Sequence, residues 1–244
     1  MWFRKKSRRL GRPLIFVCSP YRGDTETNMQ NARRYCRLVV EQGGIPFAPH
    51  LLLTQFLHDD KAAERELGLR MGLEMLKLCD ELWAFGEPTE GMRMEIAQAM
   101  HLGSVRVGKV KVYWRDNRLL IRLPSGRDLC YLSPRFVTNR FGSRGIGYLA
   151  ASASGKMELQ ETFGGKIVEN CTQSIARDLL AHAMQNLEAA GYPIVFHVHD
   201  EAVMEAPIGQ GSVEEACRIM AIPPDWARDL PLRADGEEME FYRK

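Results

Sequence analysis

The chain has 244 residues, of which 45% are hydrophobic and 26% charged, and a formal net charge of +2 at pH 7. Those are the proportions of an ordinary soluble globular protein, with length for one large domain or two small ones. No apolar run approaches the ~18 residues of a membrane span, and the start lacks the apolar stretch of a signal peptide, so the expectation is a cytoplasmic protein with no membrane partner.

Arg4, Lys5, Lys6, Arg8, Arg9 and Arg12 crowd the first dozen residues. Such a cluster suits a polyanion or a solvated tail equally. The six cysteines, Cys18, Cys36, Cys79, Cys130, Cys171 and Cys217, are scattered and show no paired metal-ligand spacing, so they are expected as buried thiols.

From Pro13 the pattern is a short strand, Leu14 to Cys18, and a loop of turn formers, Ser19 to Asp24. A helix follows, with Thr27 or Asn28 as N-cap and Ala32, Cys36, Val39 and Val40 on one face, ending at Gly43-Gly44. Ile45 to Ala48 is extended and leads to Pro49-His50. A second helix carries Leu67, Met71, Met75 and Leu78 on its apolar face and delivers the chain to Asp80 and a strand, Glu81 to Gly86. A third helix runs from about Gly91 to His101. Strands alternating with helices predict an α/β domain, a small parallel sheet flanked by helices. Ligands in such domains sit beyond the carboxyl ends of the strands.

Three groups lie at those ends: Ser19-Pro20-Tyr21-Arg22, Pro49-His50, and Glu90 to Glu95. With them, residues 13–103 resemble the nucleoside 2-deoxyribosyltransferase-like domains. In that family an acid-Gly pair starts the last helix, and a Glu one turn in attacks the sugar carbon bonded to the base. The resemblance places Glu90-Gly91 and Glu95 in those positions, Asp80 as the acid before the preceding strand, and Tyr21, Arg22 and His50 as substrate contacts. Glu90 departs from the more usual Asp. The chemistry is sound, because a carboxylate can form a covalent glycosyl intermediate while a second acid protonates the leaving base.

The character changes at Gly103 to Gly108, where a domain boundary is expected. Val105 to Tyr113 alternates, Arg115-Asp116-Asn117 turns, Leu119 to Leu123 alternates, Pro124-Ser125-Gly126-Arg127 turns, and Asp128 to Leu132 follows. That is an antiparallel meander, opening an α+β second domain over residues 106–244. Arg135, Arg140, Arg144 and Lys156 punctuate the loops beyond it, interleaved with Phe136, Phe141 and Tyr148, a mixture that suits nucleic acid as well as an ordinary polar loop. A long helix then opens at Gly164, with Ile175, Leu179, Ala183 and Leu187 on its apolar face, and stops at Gly191. Asn170, Gln173 and Arg177 lie three and four apart on one polar stripe, able to reach sugars, base edges and phosphates.

The helix runs into a hairpin, Ile194 to Val198 and Ala202 to Met204, with His199-Asp200-Glu201 at its tip. Adjacent acids at a turn are easier to hold when a cation or basic partner offsets them. With the Glu169-Asn170-Cys171-Thr172-Gln173 helix and the closing Arg233-Ala234-Asp235-Gly236, this order resembles the palm of family A DNA polymerases, phage-type members in particular. The resemblance implies Asp200 as a metal-binding carboxylate, Glu201 as its supporting acid, and Asn170, Gln173, Arg177 and His199 as DNA contacts. It also implies Mg²⁺ as cofactor, primer–template DNA and deoxynucleoside triphosphates as partners, and two-metal nucleotidyl transfer. The first-motif aspartate and the nucleotide-binding helix of that family have no counterpart in this sequence. The expectation is therefore a palm fragment inactive alone, either part of a split or fused phage replication protein, with a second chain carrying the missing motifs as one candidate partner, or a decayed remnant. The rival expectation is a deoxyribosyltransferase or N-glycosidase-like enzyme with a DNA-binding appendage.

Overall fold

The computed structural model of the protein describes residues 11–138, 142 and 144–242; the basic cluster from Arg4 to Arg9, with Arg140 and Phe141, lies outside them. The chain divides into two compact units, one of residues up to Arg122 with Cys130–Pro134, the other of Leu123–Leu129 with the chain from Arg135 onward.

The first unit is built on parallel strands β1 (Leu14–Cys18), β2 (Ile45–Phe47), β3 (Glu81–Ala84) and β4 (Ser104–Val107), in the order β2-β1-β3-β4. β1 pairs with β2 as Leu14↔Ile45 and with β3 as Phe16↔Leu82. The two-residue period of a strand sends alternate side chains of β1 to opposite faces, and both are covered. Ile15 and Val17 pack with Val39 of α1 (Thr25–Glu41) and with Trp83. Phe16 and Cys18 pack with Leu76 of α3 (Ala62–Leu76) and with Met92 and Ala99 of α4 (Glu90–Leu102). Phe16 is fully buried, and truncating it to Ala would cost about 3–5 kcal/mol.

Several local expectations shift by a turn. α1 is capped by Asp24, whose side chain accepts from Thr27 N at 3.1 Å, while Asn28 donates instead to the carbonyls of Tyr21 and Arg22. A short helix α2 (Pro49–Leu52), with Pro at its start, turns the chain straight after β2. α3 buries a different face from the one its spacing suggested: Gly72 and Leu76 are buried, whereas Leu67, Met71 and Leu78 are exposed. α3 carries apolar residues on two sides, so periodicity alone did not select between them. The buried face is the one that packs on the sheet: Leu76 joins Phe16, Leu82 and Met92 in the core, with Leu73 against it.

β4 pairs parallel to β3 as Leu82↔Val105, and the sheet of this unit runs past the boundary expected at Gly103 to Gly108, through two further strands to Arg122. The chain turns at Gly108, at positive φ, into β5 (Val110–Arg115), and again at Asp116-Asn117, both at positive φ, into β6 (Arg118–Arg122). Positive φ at both residues of a two-residue hairpin matches the strand twist.

The second unit holds most of β7 outside Cys130–Pro134 (β7 spans Asp128–Thr138), then β8 (Arg144–Ala151) and β9 (Met157–Thr162), which pair antiparallel as Tyr148↔Gln160. These strands occupy what the sequence suggested as loops. Gly147 is required there, since a Cβ would sit 2.8 Å from Val137 Cγ1. α5 (Gly164–Ala189) buries Ala183 and Leu187, and Leu187 packs with Tyr192 and with Ala216 of α6 (Val213–Met220), a helix not foreseen. Tyr192 Oη donates to Glu215 and accepts from Ser212 N, fixing the start of α6. β10 (Ile194–Val198) and β11 (Glu201–Met204) form the expected antiparallel hairpin, closing as Val198↔Glu201.

Candidate functional site

In the first unit a cavity of about 260 Å³ opens at the carboxyl ends of β1, β2 and β3. Its deepest polar pair is Ser19, 5% exposed, and His50, whose Nε2 lies 3.0 Å from Ser19 Oγ. Ser19 is placed by the end of β1 and His50 by the first turn of α2, where Thr54 Oγ1 donates to the His50 carbonyl at 2.7 Å. Burial pushes the His50 imidazole down to about 4, so at neutral pH it is an uncharged ring with one donor and one acceptor. Tyr21 lines the same cavity, its ring centroid 6.2 Å from that of His50.

Opposite them lies the start of α4, capped by Thr89, with Glu90, Met92 and Glu95 on the cavity wall. Burial pushes the Glu95 carboxyl up to about 7, against a smaller opposing effect of the Cys18 thiol. The Cys18 thiol is itself pushed far up by burial and then by the Glu95 charge, so it stays protonated. A carboxyl that titrates near neutrality in a cleft is a recognised mark of a functional acid or nucleophile. The remaining wall is an ion-pair cluster: Arg22 Nε lies 2.7 Å from Asp59 Oδ2, Arg22 Nη2 donates to the Asp59 carbonyl at 3.0 Å, and Arg65 Nε is 3.8 Å from Asp59 Oδ1.

The structure thus brings Tyr21, Arg22, His50, Glu90 and Glu95 to one cavity. Asp80 is elsewhere: its carboxylate accepts from Leu14 N at 2.7 Å and its own N donates to Leu14 O, which ties it to the amino end of the sheet. Asp59, Arg65 and Thr89 line the cavity without having been singled out, and Ser19 was named only within its strand-end group. Ser19 carried a signal, standing directly after a predicted strand, while Asp59 is marked only by its place in a polar loop.

In the second unit, His199 and Asp200 form the two-residue tip of the β10–β11 hairpin, with His199 at φ 54° and both side chains exposed. Glu201 accepts from Tyr242 Oη at 2.9 Å, and Tyr242 meets Phe196 edge-on at a centroid distance of 5.1 Å. Asn170, Gln173 and Arg177 lie along α5, the latter two exposed. Their stripe is not free of acid, since Gln173 Nε2 donates to Glu169 Oε1 at 3.3 Å. Beside it the Ser125–Arg127 turn grips the helix: Arg127 Nε is 2.8 Å from Asp178 Oδ1 and Nη2 donates to the Ser174 carbonyl at 2.9 Å.

Among the described residues no group of three or more His, Cys, Asp or Glu side chains is placed to hold a metal ion. Asp200 and Glu201 do not by themselves amount to the oxygen-rich donor set that a two-Mg²⁺ centre requires, and Glu201 already accepts from Tyr242. No helix among the described residues is long and apolar enough to cross a membrane.

The fold and the cavity define a mixed α/β protein with a ligand-sized cleft in its first unit. A family described as a domain of unknown function (DUF7768) matches residues 13–107, ending on the last residue of β4. A protein named DNA polymerase, from Bacillus phage SP02, is 44% identical over 127 residues, which is 52% of this chain and 20% of that polymerase. This chain therefore spans about a fifth of that relative's length. A solved structure described as a characterization of 2-deoxyribosyltransferase from the bacterium Bacillus psychrosaccharolyticus shares 17% identity, with a TM-score of 0.33, over 38% of this chain and 70% of that one.

Proposed function

We propose that the second half of the chain, residues 106–244, is a palm-like segment of a family A, phage-type DNA polymerase that engages primer–template DNA and does not extend a primer alone. The observation that carries this reading is the 44% identity to a phage DNA polymerase over 127 residues, a stretch too long to lie within residues 13–107. In support, α5 offers Asn170, Gln173 and Arg177 along one side, and the chain continues into a hairpin with Asp200 at its tip. Groups of this kind contact phosphates, sugars and minor-groove edges. Asp200 and Glu201 supply too few ligands for a two-Mg²⁺ centre, so the missing aspartate and the grip on a deoxynucleoside triphosphate would come from a second chain.

The test is a primer-extension assay with magnesium, run beside duplex binding over a salt series. The expected outcome is salt-dependent binding, weakened by Arg177→Ala, without incorporation. Asp200-dependent extension by the purified chain would overturn the claim of inactivity, and absence of duplex binding would overturn the palm reading.

A second reading is favoured by one observation, the Glu95 carboxyl with a pKa near 7 on the wall of a built cavity. On this reading the first unit cleaves or exchanges the bond between base and deoxyribose. The ionised Glu95 oxygen attacks C1′, a C–O bond forms as the C1′–N bond breaks, and the base leaves with its electron pair and takes a proton from a second acid. Water or another base then displaces Glu95 from C1′. Glu90, on the same wall, is the acid within this cavity, whereas Asp80 lies at the other end of the sheet. Free base released from a deoxynucleoside, and lost in Glu95→Gln, is the expected outcome; release unchanged by that substitution removes the reading.

A further inference from the structure

We propose that Asp59 is a charge gate: by holding Arg22 and Arg65 it reserves the cavity for a ligand without a phosphate, and its removal turns the two arginines into an anion site. This deepens the reading of the cavity as a nucleoside site and rests on it. Arg22 and Arg65 line the cavity, and both are directed at Asp59: Arg22 Nε at 2.7 Å from one carboxylate oxygen, Arg65 Nε at 3.8 Å from the other, and Arg22 Nη2 on the Asp59 carbonyl at 3.0 Å. Three further carboxyls, Glu64, Glu90 and Glu95, share the wall. Glu64 is held by Lys61 Nζ at 2.9 Å and by His58 N at 2.7 Å, so the Lys61 ammonium is paired as well.

A phosphate dianion entering this cavity competes with Asp59 for the two arginines and stands close to the carboxyl groups of Asp59 and Glu90. Like-charge juxtaposition of that kind is how proteins reject a wrong ligand. The rest of the polar lining is uncharged: the Ser19 hydroxyl paired with the neutral His50 ring, Tyr21, Thr54, which donates to the His50 carbonyl, and Thr89, which caps α4. Those groups suit sugar hydroxyls and base edges. Arg22 and Arg65, released from Asp59, would present the forked donors that bind phosphate well.

The test titrates the full chain calorimetrically with the four 2′-deoxynucleosides, their 5′-monophosphates and inorganic phosphate. The wild type is expected to bind a nucleoside about tenfold or more tighter than its monophosphate and to ignore phosphate. Asp59→Asn reverses the preference and gains phosphate binding, and Arg65→Ala in that background removes the gain. Asp59→Ser serves as a second variant should Asp59→Asn not fold, as judged by circular dichroism. A wild type that prefers the monophosphate, or a folded Asp59 variant that binds phosphate no better, overturns the gate. Should no nucleoside bind, or base release not depend on Glu95, the nucleoside reading falls, while the phosphate arm still decides whether Asp59 guards an anion site.

Discussion

Glu95 and Asp200 are the carboxylates on which the two units turn, and the chain places them in opposite surroundings. Glu95 stands on the wall of a cleft, its carboxyl pushed up to about 7 by burial and its neighbours Ser19, His50 and Cys18 all buried or partly so. Asp200 projects from a two-residue hairpin tip into solvent, with no third metal-ligating side chain beside it among the described residues. The first arrangement gathers its polar groups around one cavity inside one unit. The second is exposed, and the same unit leaves large apolar side chains, Phe136, Phe163 and Val168 among them, exposed as well. Chemistry on a small molecule needs desolvation and shifted acids, whereas engagement of a polyanion needs exposed groups in the right order along a helix.

The comparison breaks most sharply at Glu95. Glu95→Gln is expected to lower base release on the order of a thousandfold or more, as loss of a nucleophile does, and to leave duplex binding where it was. Asp200→Asn should do neither to base release. Equal sensitivity of base release to both substitutions would mean that the first unit does not act by itself. The pH profile adds a sign: a nucleophile must be ionised, so the rate should rise with pH through about 7. A rate that falls through the same range would make Glu95 the acid instead.

Stability against pH gives the next largest effect. Glu95 has its pKa raised by burial from 4.5 to about 7, so between those values the native state holds a proton that the unfolded chain has lost. Its contribution is fully present below 4.5 and is lost as pH rises through about 7, on the order of 3 kcal/mol in all. His50 runs the other way: its pKa is lowered by burial from 6.5 to about 4, so its contribution is present above 6.5 and is lost as pH falls toward 4. Between 4.5 and 6.5 the two slopes oppose each other. Denaturant titrations of Glu95→Gln should show stability falling faster on acidification than in the wild type, and His50→Gln should show it rising. Parallel curves for all three proteins would refute the burial of both groups.

In the second unit effects should be smaller and tied to salt. Arg177→Ala removes one exposed cation from α5, so duplex affinity is expected to fall a few-fold and the salt slope to decrease by about one. Arg127→Ala, which removes the guanidinium contacts to Asp178 and the Ser174 carbonyl but leaves the Ser125 hydroxyl on Asp178, should cost about 1 kcal/mol after allowance for its exposure. If Arg127→Ala alters the salt slope as much as Arg177→Ala, the turn contacts DNA directly and is not only a clamp.

How much of this was legible differs between the units for a physical reason. In the first, the alternation of strands and helices placed Tyr21, His50, Glu90 and Glu95 at strand ends, and the sheet brought them together because parallel strands share one carboxyl end. Asp80 was misplaced by the same logic, since a residue before a strand belongs to the opposite end. Asp59 was invisible because its meaning lies in two arginines 37 residues before it and six after, a pairing no local period encodes. In the second unit α5 and the hairpin were legible from periodicity and turn chemistry. β8 and β9 were not, because Gly145 and Gly147 in the one and only two apolar residues, Met157 and Leu159, in the other dilute the alternation that marks a strand. The extent of the first unit was hidden as well, for whether β4 pairs in parallel depends on β3, not on its own sequence.

The smallest effect concerns the hairpin tip. Tyr242 Oη donates to Glu201 at 2.9 Å, and that bond, first among its causes, raises the Tyr242 phenol above its ordinary value. Glu201→Gln removes the charge that holds the proton, so the Tyr242 signal, isolated as the difference from Tyr242→Phe, should ionise at lower pH. Because the pair is open to solvent, the folded state should hardly notice. The same signal reports on whatever approaches Asp200. A cation or a basic segment settling on the tip competes with the phenol for Glu201, and the Tyr242 titration should then move down as it does in Glu201→Gln. An unchanged titration in Glu201→Gln would show that the C-terminal segment does not rest on the hairpin. A shift on adding a candidate second chain, but not on adding Mg²⁺ alone, would place the missing half of the site in that partner.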